Sequence, residues 1–172
     1  MAETATTTER PSGGDALLRP DGAQASAAHP ASQFRGRGEH AIDDKGRLTL
    51  PAQMRKALQG GGCLVVLDGR PVIWDEPTYQ RAVDELNARV AEGDLLSSQV
   101  RAFLSNTHLV SPDTQGRIVI PHAVRVEAGL DRDVLVLGAG PRIEIVPVSD
   151  GSLDAFAAVD DQVVDVLDRA RF

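Results

Sequence analysis

The chain has 172 residues, of which 42% are apolar and 25% are charged, a composition typical of globular proteins and unlike that of collagenous, fully disordered or membrane-spanning chains. Aromatic residues make up only 3%, which argues against a single-strand nucleic-acid site built on stacked aromatic side chains. The net charge of −7 is unevenly distributed, because residues 35–58 sum to +3 whereas residues 75–94 and 150–172 each sum to −4.

The cysteine content and the apolar runs indicate the compartment. Cys63 is the only cysteine, so no intramolecular disulfide can form. The longest apolar runs fall far short of the roughly 20 residues that a membrane helix needs. The first residues also lack the basic-then-apolar order of a signal peptide. We therefore expect a cytoplasmic protein with no membrane partner.

Residues 1–33 are predicted to form a disordered N-terminal tail. Twenty-one of them are Ala, Thr, Ser, Gly or Pro, which leaves too little apolar surface to offset the entropy lost on ordering. Patterned sequence begins near Phe34. A translation start placed too far upstream is the alternative explanation for the tail.

An internal repeat is the most informative feature of the sequence. The segment from Asp43 to Arg55 recurs seventy positions later, from Asp113 to Arg125, with the aspartate, the glycine, both arginines and the proline unchanged. Nine of 31 aligned positions are identical, where about two are expected by chance. The sequence therefore contains a tandem duplication.

Each copy predicts the same short series of elements. Asp-x-x-Gly-Arg indicates a tight turn, in which the aspartate caps backbone N–H groups and the glycine takes a positive φ. A short alternating strand follows, and a proline ends it where a helix of one to two turns begins. The predicted turn residues are Asp43, Gly46, Pro51, Asp113, Gly116 and Pro121. The short helices are predicted at residues 52–58 and 122–128, and two more strands follow each of them.

Helical patterns follow both copies. Apolar residues recur at helical spacing after Pro77 and again after Gly93-Asp94, and a third pattern follows a Ser152 cap. We expect the apolar residues of the connecting helices, Leu86, Val90, Val100 and Phe103, to be core or subunit contacts. The fold class is predicted as α+β, with two pseudo-symmetric β-rich lobes and peripheral helices. The predicted organisation is a tail at 1–33, a first unit at 34–76, a helical connection at 77–107, a second unit at 108–149 and an acidic C-terminal helix at 150–172.

Enzyme and metal motifs are absent from the sequence. Gly138-Ala139-Gly140 follows a predicted strand but lacks the third glycine and the helix of a dinucleotide loop, so it is read as a hairpin turn. The triple glycine at 60–62 lacks the Lys-Ser/Thr of a phosphate loop, and the four histidines are scattered. We expect no catalytic residues, no metal, no cofactor and no small-molecule substrate.

The repeated Asp-x-x-Gly-Arg-x-x-x-Pro element resembles the signature of the MraZ family, the two-copy member of the AbrB/SpoVT swapped-hairpin group of bacterial DNA-binding proteins. The resemblance begins at Phe34-Arg35-Gly36 and runs to the C-terminus. It implies that the two lobes are AbrB/SpoVT-like β-barrels.

The same resemblance implies a transcriptional regulator that binds direct repeats in double-stranded DNA upstream of the division and cell-wall gene cluster. It also implies a ring-like homo-oligomer associated with the nucleoid. By motif position, the residues that correspond to DNA contacts are Arg35, Lys45, Arg47 and Arg117. Gln115 stands in the second copy where the first copy has Lys45.

The residues themselves support this interpretation and leave alternatives open. An arginine on a glycine-containing turn can bind guanine bidentately or neutralise a phosphate. Arg47 could instead form a structural salt bridge with Asp43, and Arg55 and Arg125 could form surface ion pairs or phosphate contacts. At the level of function, the alternatives are an antitoxin-like or scaffold protein that acts through protein partners, and a small-molecule-binding or enzymatic β-rich domain.

Overall fold

The computed structural model describes residues 33–148. Its elements in chain order are β1 (Arg37–Ala41), β2 (Arg47–Thr49), α1 (Ala52–Ala57), β3 (Gly62–Leu67), β4 (Arg70–Asp75), α2 (Glu76–Glu92), α3 (Ser97–Ser105), β5 (His108–Val110), β6 (Arg117–Val119), α4 (His122–Glu127), β7 (Asp133–Ala139) and β8 (Arg142–Pro147). This is a mixed α+β fold, in agreement with the predicted class. The tail as far as residue 32 and the predicted helix at 150–172 lie outside the described residues.

The strands form one large sheet and one small ribbon, and all their pairings are antiparallel. The sheet has six strands in the order β1-β7-β8-β4-β3-β5, and β2 pairs with β6. Replacing each strand by its counterpart in the other copy reverses this order and leaves it otherwise the same. The strand that opens each copy pairs with the other copy, β1 with β7 and β5 with β3. The two copies therefore share a single sheet, whereas the sequence suggested a separate lobe for each.

The core lies between the ribbon, the two short helices and one face of the sheet. Leu48 and Ile118 are opposite each other in the ribbon, and both have an exposed fraction of 0%. They pack in the same cluster as Met54 of α1, Val124 of α4 and Ile73 of the sheet. Burial of these aliphatic side chains fixes which face of the ribbon points inward.

The short helices begin one residue later than their prolines. Pro51 and Pro121 have extended ψ angles of 142° and 146° and directly precede α1 and α4. The missing N–H of proline costs nothing there, because the first turn of a helix leaves its N–H groups unpaired. Each helix ends one residue earlier than predicted, with Leu58 or Ala128 as its C-cap.

The two longer helices cover the β3–β4 part of the sheet. The side chain of Asp75 accepts a hydrogen bond from the Thr78 N–H at 3.0 Å and so caps α2, which ends at Gly93 with a φ of +86°. Val100 of α3 is buried, whereas Leu86, Val90 and Phe103 are half-buried. The rings of Trp74, Tyr79 and Phe103 lie together, the closest pair with centroids 5.9 Å apart.

Candidate nucleic-acid interface

The outer face of the β2–β6 ribbon brings together side chains from both copies. Side chains alternate across a strand, so the burial of Leu48 and Ile118 leaves their neighbours on the opposite face. Those outward residues are Arg47, Thr49, Arg117 and Val119. Arg47 pairs with Val119 and Thr49 pairs with Arg117, so the two arginines are diagonal neighbours on one surface. We call these four residues the ribbon face.

The first turn is held by the carboxylate of Asp43. One oxygen, Oδ1, accepts hydrogen bonds from the N–H groups of Lys45 and Arg47, both at 2.9 Å. The other, Oδ2, accepts from the Nε of Arg47 at 2.6 Å. Gly46 takes a φ of +76°, and its N–H donates to the Asp43 carbonyl at 2.8 Å. Asp43 thus stabilises the turn and also orients the side chain of Arg47, the first residue of β2.

The second turn has the same geometry. Oδ1 of Asp113 accepts hydrogen bonds from the N–H groups of Gln115 and Arg117, both at 2.9 Å. Oδ2 of Asp113 contacts the Arg117 guanidinium at 2.7 Å. Gly116 also has a φ of +76°. The side chains of Arg47 and Arg117 remain 32% and 25% exposed, so neither arginine is fully buried.

Hydrogen bonds from the arginine four positions later lower the pKa of both aspartates. For Asp43, the hydrogen bond from the Arg47 backbone N–H is the largest cause, and the Arg47 side chain adds to it. For Asp113, the hydrogen bond from the Arg117 side chain is the largest cause. Both carboxylates are therefore ionised at neutral pH. A guanidinium has five N–H donors, so an ion pair of this kind engages only part of it.

The two turns are also bonded to each other. The carbonyl of Gly46 accepts a hydrogen bond from the Ile120 N–H at 2.8 Å, and the carbonyl of Gly116 accepts one from the Leu50 N–H at 3.1 Å. A Cβ added at Gly46 would lie 2.8 Å from the Ile120 carbonyl oxygen. Gly46 is therefore needed both for its positive φ and for the close approach of the opposite strand.

Arg55 and Arg125 lie against the turn of the opposite copy. The Nη1 of Arg55 is 3.5 Å from the Gln115 carbonyl oxygen, and a Cβ added at Gly116 would collide with the Arg55 side chain. Arg125 lies near Gly46, where a Cβ would be 3.4 Å from its Nε, and this buried Nε has no hydrogen-bond partner among the described residues. The sequence left these two arginines open between surface ion pairs and phosphate contacts. Packing across the copies was missed, because it depends on strand pairing between distant segments.

The two remaining predicted contact residues lie outside the ribbon face. Lys45 is exposed on the first turn. Arg35 is exposed as well, and its carbonyl accepts a hydrogen bond from Nε2 of Gln53, a residue of α1, at 2.6 Å. Its neighbour Phe34 is buried and pairs with Gly140. A Cβ at Gly138 would collide with the backbone of Arg35, so this glycine lets the segment lie against the β7–β8 hairpin.

Three features of the described residues bear on other functions: groups that could hold a metal, helices that could cross a membrane, and the thiol of Cys63. Within residues 33–148, no group of three or more His, Cys, Asp or Glu side chains could hold a metal ion. In that same range, no helix is long and apolar enough to cross a membrane. Cys63 is buried beside Glu76, and burial raises the pKa of its thiol to about 12. A thiol in that state is a poor nucleophile at neutral pH.

Comparison with known proteins agrees with the repeated motif. The family model described as "MraZ protein, putative antitoxin-like" matches residues 33–94 and 103–150. The chain belongs to the MraZ family. This confirms the resemblance inferred from the duplicated turn. The family match includes both turns and both strands of the ribbon.

Three relatives in the MraZ family illustrate the similarity, and each is named "Transcriptional regulator MraZ". The protein from Clavibacter michiganensis is 43% identical over 119 residues, which cover 65% of this chain and 79% of the relative. The protein from Salinispora arenicola is 39% identical over 115 residues, covering 65% and 80%. The protein from Heliobacterium modesticaldum is 38% identical over 116 residues, covering 65% and 79%.

Proposed function

We propose that this chain is a sequence-specific DNA-binding transcriptional regulator. In this proposal it binds direct repeats upstream of the division and cell-wall gene cluster, as a ring-like homo-oligomer in the cytoplasm, associated with the nucleoid and without a cofactor. The observation that carries the proposal is the ribbon face, where Arg47 and Arg117 lie on one exposed surface. The names of the relatives support the regulatory role.

The shape of the ribbon suits duplex DNA. The major groove admits a two-stranded β-ribbon, and arginine reads guanine there through its O6 and N7 atoms. The Asp43 and Asp113 ion pairs restrict the rotamers of the two arginines, so less side-chain entropy is lost on binding. We propose that the two copies act here as pseudo-symmetric, AbrB/SpoVT-like halves of a single reading unit. Arg35 and Lys45 would then contact DNA beside it.

The charge distribution favours this face over the rest of the molecule. Residues 35–58, which contain the first turn, sum to +3 although the whole chain is at −7. The acidic helix α2 packs on β3, β4 and α3. Contacts to phosphates release counterions, so local positive charge increases affinity without regard to sequence, while the negative charge elsewhere limits non-specific binding.

A single ribbon offers few contacts, and its affinity would be modest. Joining several ribbons in an oligomer raises the overall affinity about 10²- to 10⁴-fold when the geometry allows them to bind together. Repeated DNA boxes would supply matching sites. This is the physical reason to connect a ring of subunits with direct repeats.

The test is a mobility-shift assay on the DNA upstream of the protein's own gene. Arg47→Ala is compared with wild type and with Arg101→Ala, which removes the same charge from an exposed position on α3. We expect Arg47→Ala to lose specific binding in the presence of competitor DNA, while Arg101→Ala binds as wild type. Circular dichroism checks that both variants are folded. Unchanged specific binding by Arg47→Ala would contradict the proposal.

A second candidate function is an antitoxin-like role exerted through a protein partner. The description of the matching family includes the word antitoxin-like. A mainly apolar groove of about 410 Å³ between α2, α3 and the sheet, lined by Trp74, Leu86 and Phe103 among others, offers a surface for such a partner. DNA affinity that survives removal of Lys45, Arg47 and Arg117 together would favour this alternative.

A further inference from the structure

The ribbon face carries two side chains with exposed methyl groups directly opposite its arginines. Val119 pairs with Arg47 and is 56% exposed, and Thr49 pairs with Arg117 and is also exposed. We propose that Val119 and Thr49 determine specificity by contacting the 5-methyl groups of thymines in the major groove. This inference rests on the proposed function and extends it to the class of base that each copy recognises.

The spacing of the ribbon matches that of stacked base pairs. Side chains on one face of a strand are two residues apart, which is about 7 Å at roughly 3.4 Å per residue. Base pairs rise about 3.4 Å each, so Arg47 and Thr49 would lie about two steps apart along the groove. The strands of a sheet are about 4.8 Å apart, well within the major groove width of about 12 Å. All four side chains of the ribbon face can therefore reach base pairs that lie within about two steps of one another.

The chemistry of Val119 points to thymine. Of the four bases, only thymine presents a methyl group in the major groove. A valine against any other base edge would cover a donor or acceptor without bonding it, which carries a free-energy penalty. Valine is also restricted at χ1, so little rotamer entropy is lost when it is immobilised. Its position beside an arginine predicts a thymine next to a guanine.

The chemistry of Thr49 is related but different. Its methyl group can contact thymine, and its hydroxyl can donate to or accept from a base edge. Thr49 and Val119 occupy equivalent positions in the two copies, seventy residues apart. Lys45 and Gln115 are a second unequal pair, at the ends of the two turns. The backbone of the ribbon is thus symmetric while its side chains are not, so the site that it reads has a direction, as direct repeats do.

The test measures affinity of the full chain for one DNA box from upstream of its own gene, by fluorescence anisotropy at constant salt. Each thymine in the box is replaced in turn by deoxyuridine, which lacks only the methyl group. Losing one buried methyl contact is expected to weaken wild-type binding about 4-fold, from roughly 0.8 kcal/mol per group. Val119→Ala is expected to weaken binding to the unmodified box by a similar factor.

The deciding result is the combination of the two changes. If Val119 contacts a particular thymine methyl, replacing that thymine has no further effect on Val119→Ala, because the contact is already lost. Thr49→Ser removes the methyl group, keeps the hydroxyl, and should become insensitive at a different thymine. Val126→Ala is the matched control, since Val126 is 66% exposed on α4, outside the ribbon face. It should behave as wild type at every position.

When wild type binds the DNA, either of two outcomes overturns the inference. One is a Val119→Ala variant that binds the unmodified box as tightly as wild type. The other is a Val119→Ala variant whose binding is weakened by every thymine replacement as much as that of wild type. If Arg47→Ala loses binding while Val119→Ala does not, this inference fails and the proposed function stands. If wild type does not bind the DNA at all, both fail. Thermal unfolding of each variant shows that the fold is intact.

Discussion

At the scale of single residues, Asp43 and Asp113 connect the fold to the proposed function. Each carboxylate accepts two backbone hydrogen bonds within its turn and forms an ion pair with the arginine four positions later. The alternative in which Arg47 forms a salt bridge with Asp43 is present in the structure. It is compatible with DNA contact, because the Arg47 side chain stays 32% exposed and the ion pair engages only part of its five N–H donors.

The lowered pKa values of these aspartates predict how stability changes with pH. A carboxyl whose pKa is lower in the folded state stabilises the fold above its ordinary pKa of 3.8, and this contribution is lost as the pH falls through the lowered value. We expect the double variant Asp43→Asn, Asp113→Asn to lose less stability than wild type between about pH 5 and pH 2. Urea unfolding across that range measures it. Parallel curves for the two proteins would contradict the assignment.

Alanine substitutions at two glycines separate the cost of a positive φ at Gly46 from the cost of the clash with the Ile120 carbonyl. Gly46→Ala introduces a positive φ for alanine and also a clash with the Ile120 carbonyl, whereas Gly69→Ala introduces only the positive φ, since nothing lies within 4 Å of its Cβ. A residue forced into this region costs about 1–2 kcal/mol. We expect Gly69→Ala to lower the free energy of unfolding by that amount and Gly46→Ala to lower it further. Equal losses for the two variants would mean that the close approach has no energetic importance.

At the scale of elements, the sequence predicted those turns and helices whose formation depends on residues close together in the chain. The Asp-x-x-Gly turns, the prolines before α1 and α4, and the helices after Pro77 and Gly93 follow from side-chain capping, a fixed proline φ and apolar spacing, which act within a few residues. The pairing of β1 with β7, and of β2 with β6, joins segments that are some seventy or more residues apart. Turn chemistry and periodicity carry no information about such partners, so the shared sheet and the ribbon face could not be predicted.

The start of α2 offers a test of helix capping as the local signal. The carboxylate of Asp75 is buried and accepts the Thr78 N–H, so Asp75→Ala should lower the free energy of unfolding by about 1–2 kcal/mol. Asp94→Ala is the control, because it removes an exposed ion pair between side chains, that of Asp94 with Arg89, and should cost less than about 1 kcal/mol. Urea unfolding measures both. A smaller loss for Asp75→Ala than for Asp94→Ala would show that the cap is not what stabilises this helix.

At the scale of the whole molecule, pairing between the copies turns a repeated sequence into one surface. Arg47 of the first copy and Arg117 of the second are seventy residues apart in sequence, and the pairing of β2 with β6 makes them diagonal neighbours. The backbone hydrogen bonds of Gly46 and Gly116 to the opposite strands hold the two turns in register. A substitution in either turn is therefore expected to alter the position of the other turn as well.

The central claim is that both turns contact one duplex. The most direct measurement is the salt dependence of affinity for DNA upstream of the protein's own gene, for Arg47→Ala, Arg117→Ala, their double variant and the control Arg101→Ala. Replacing a ribbon arginine that binds a guanine edge should weaken binding by about 1–3 kcal/mol at every salt concentration, and replacing one that also contacts a phosphate should reduce the slope of log K against log salt by about 0.9. Arg101→Ala should keep the slope of wild type. An Arg117→Ala variant with the affinity and slope of Arg101→Ala would contradict the claim.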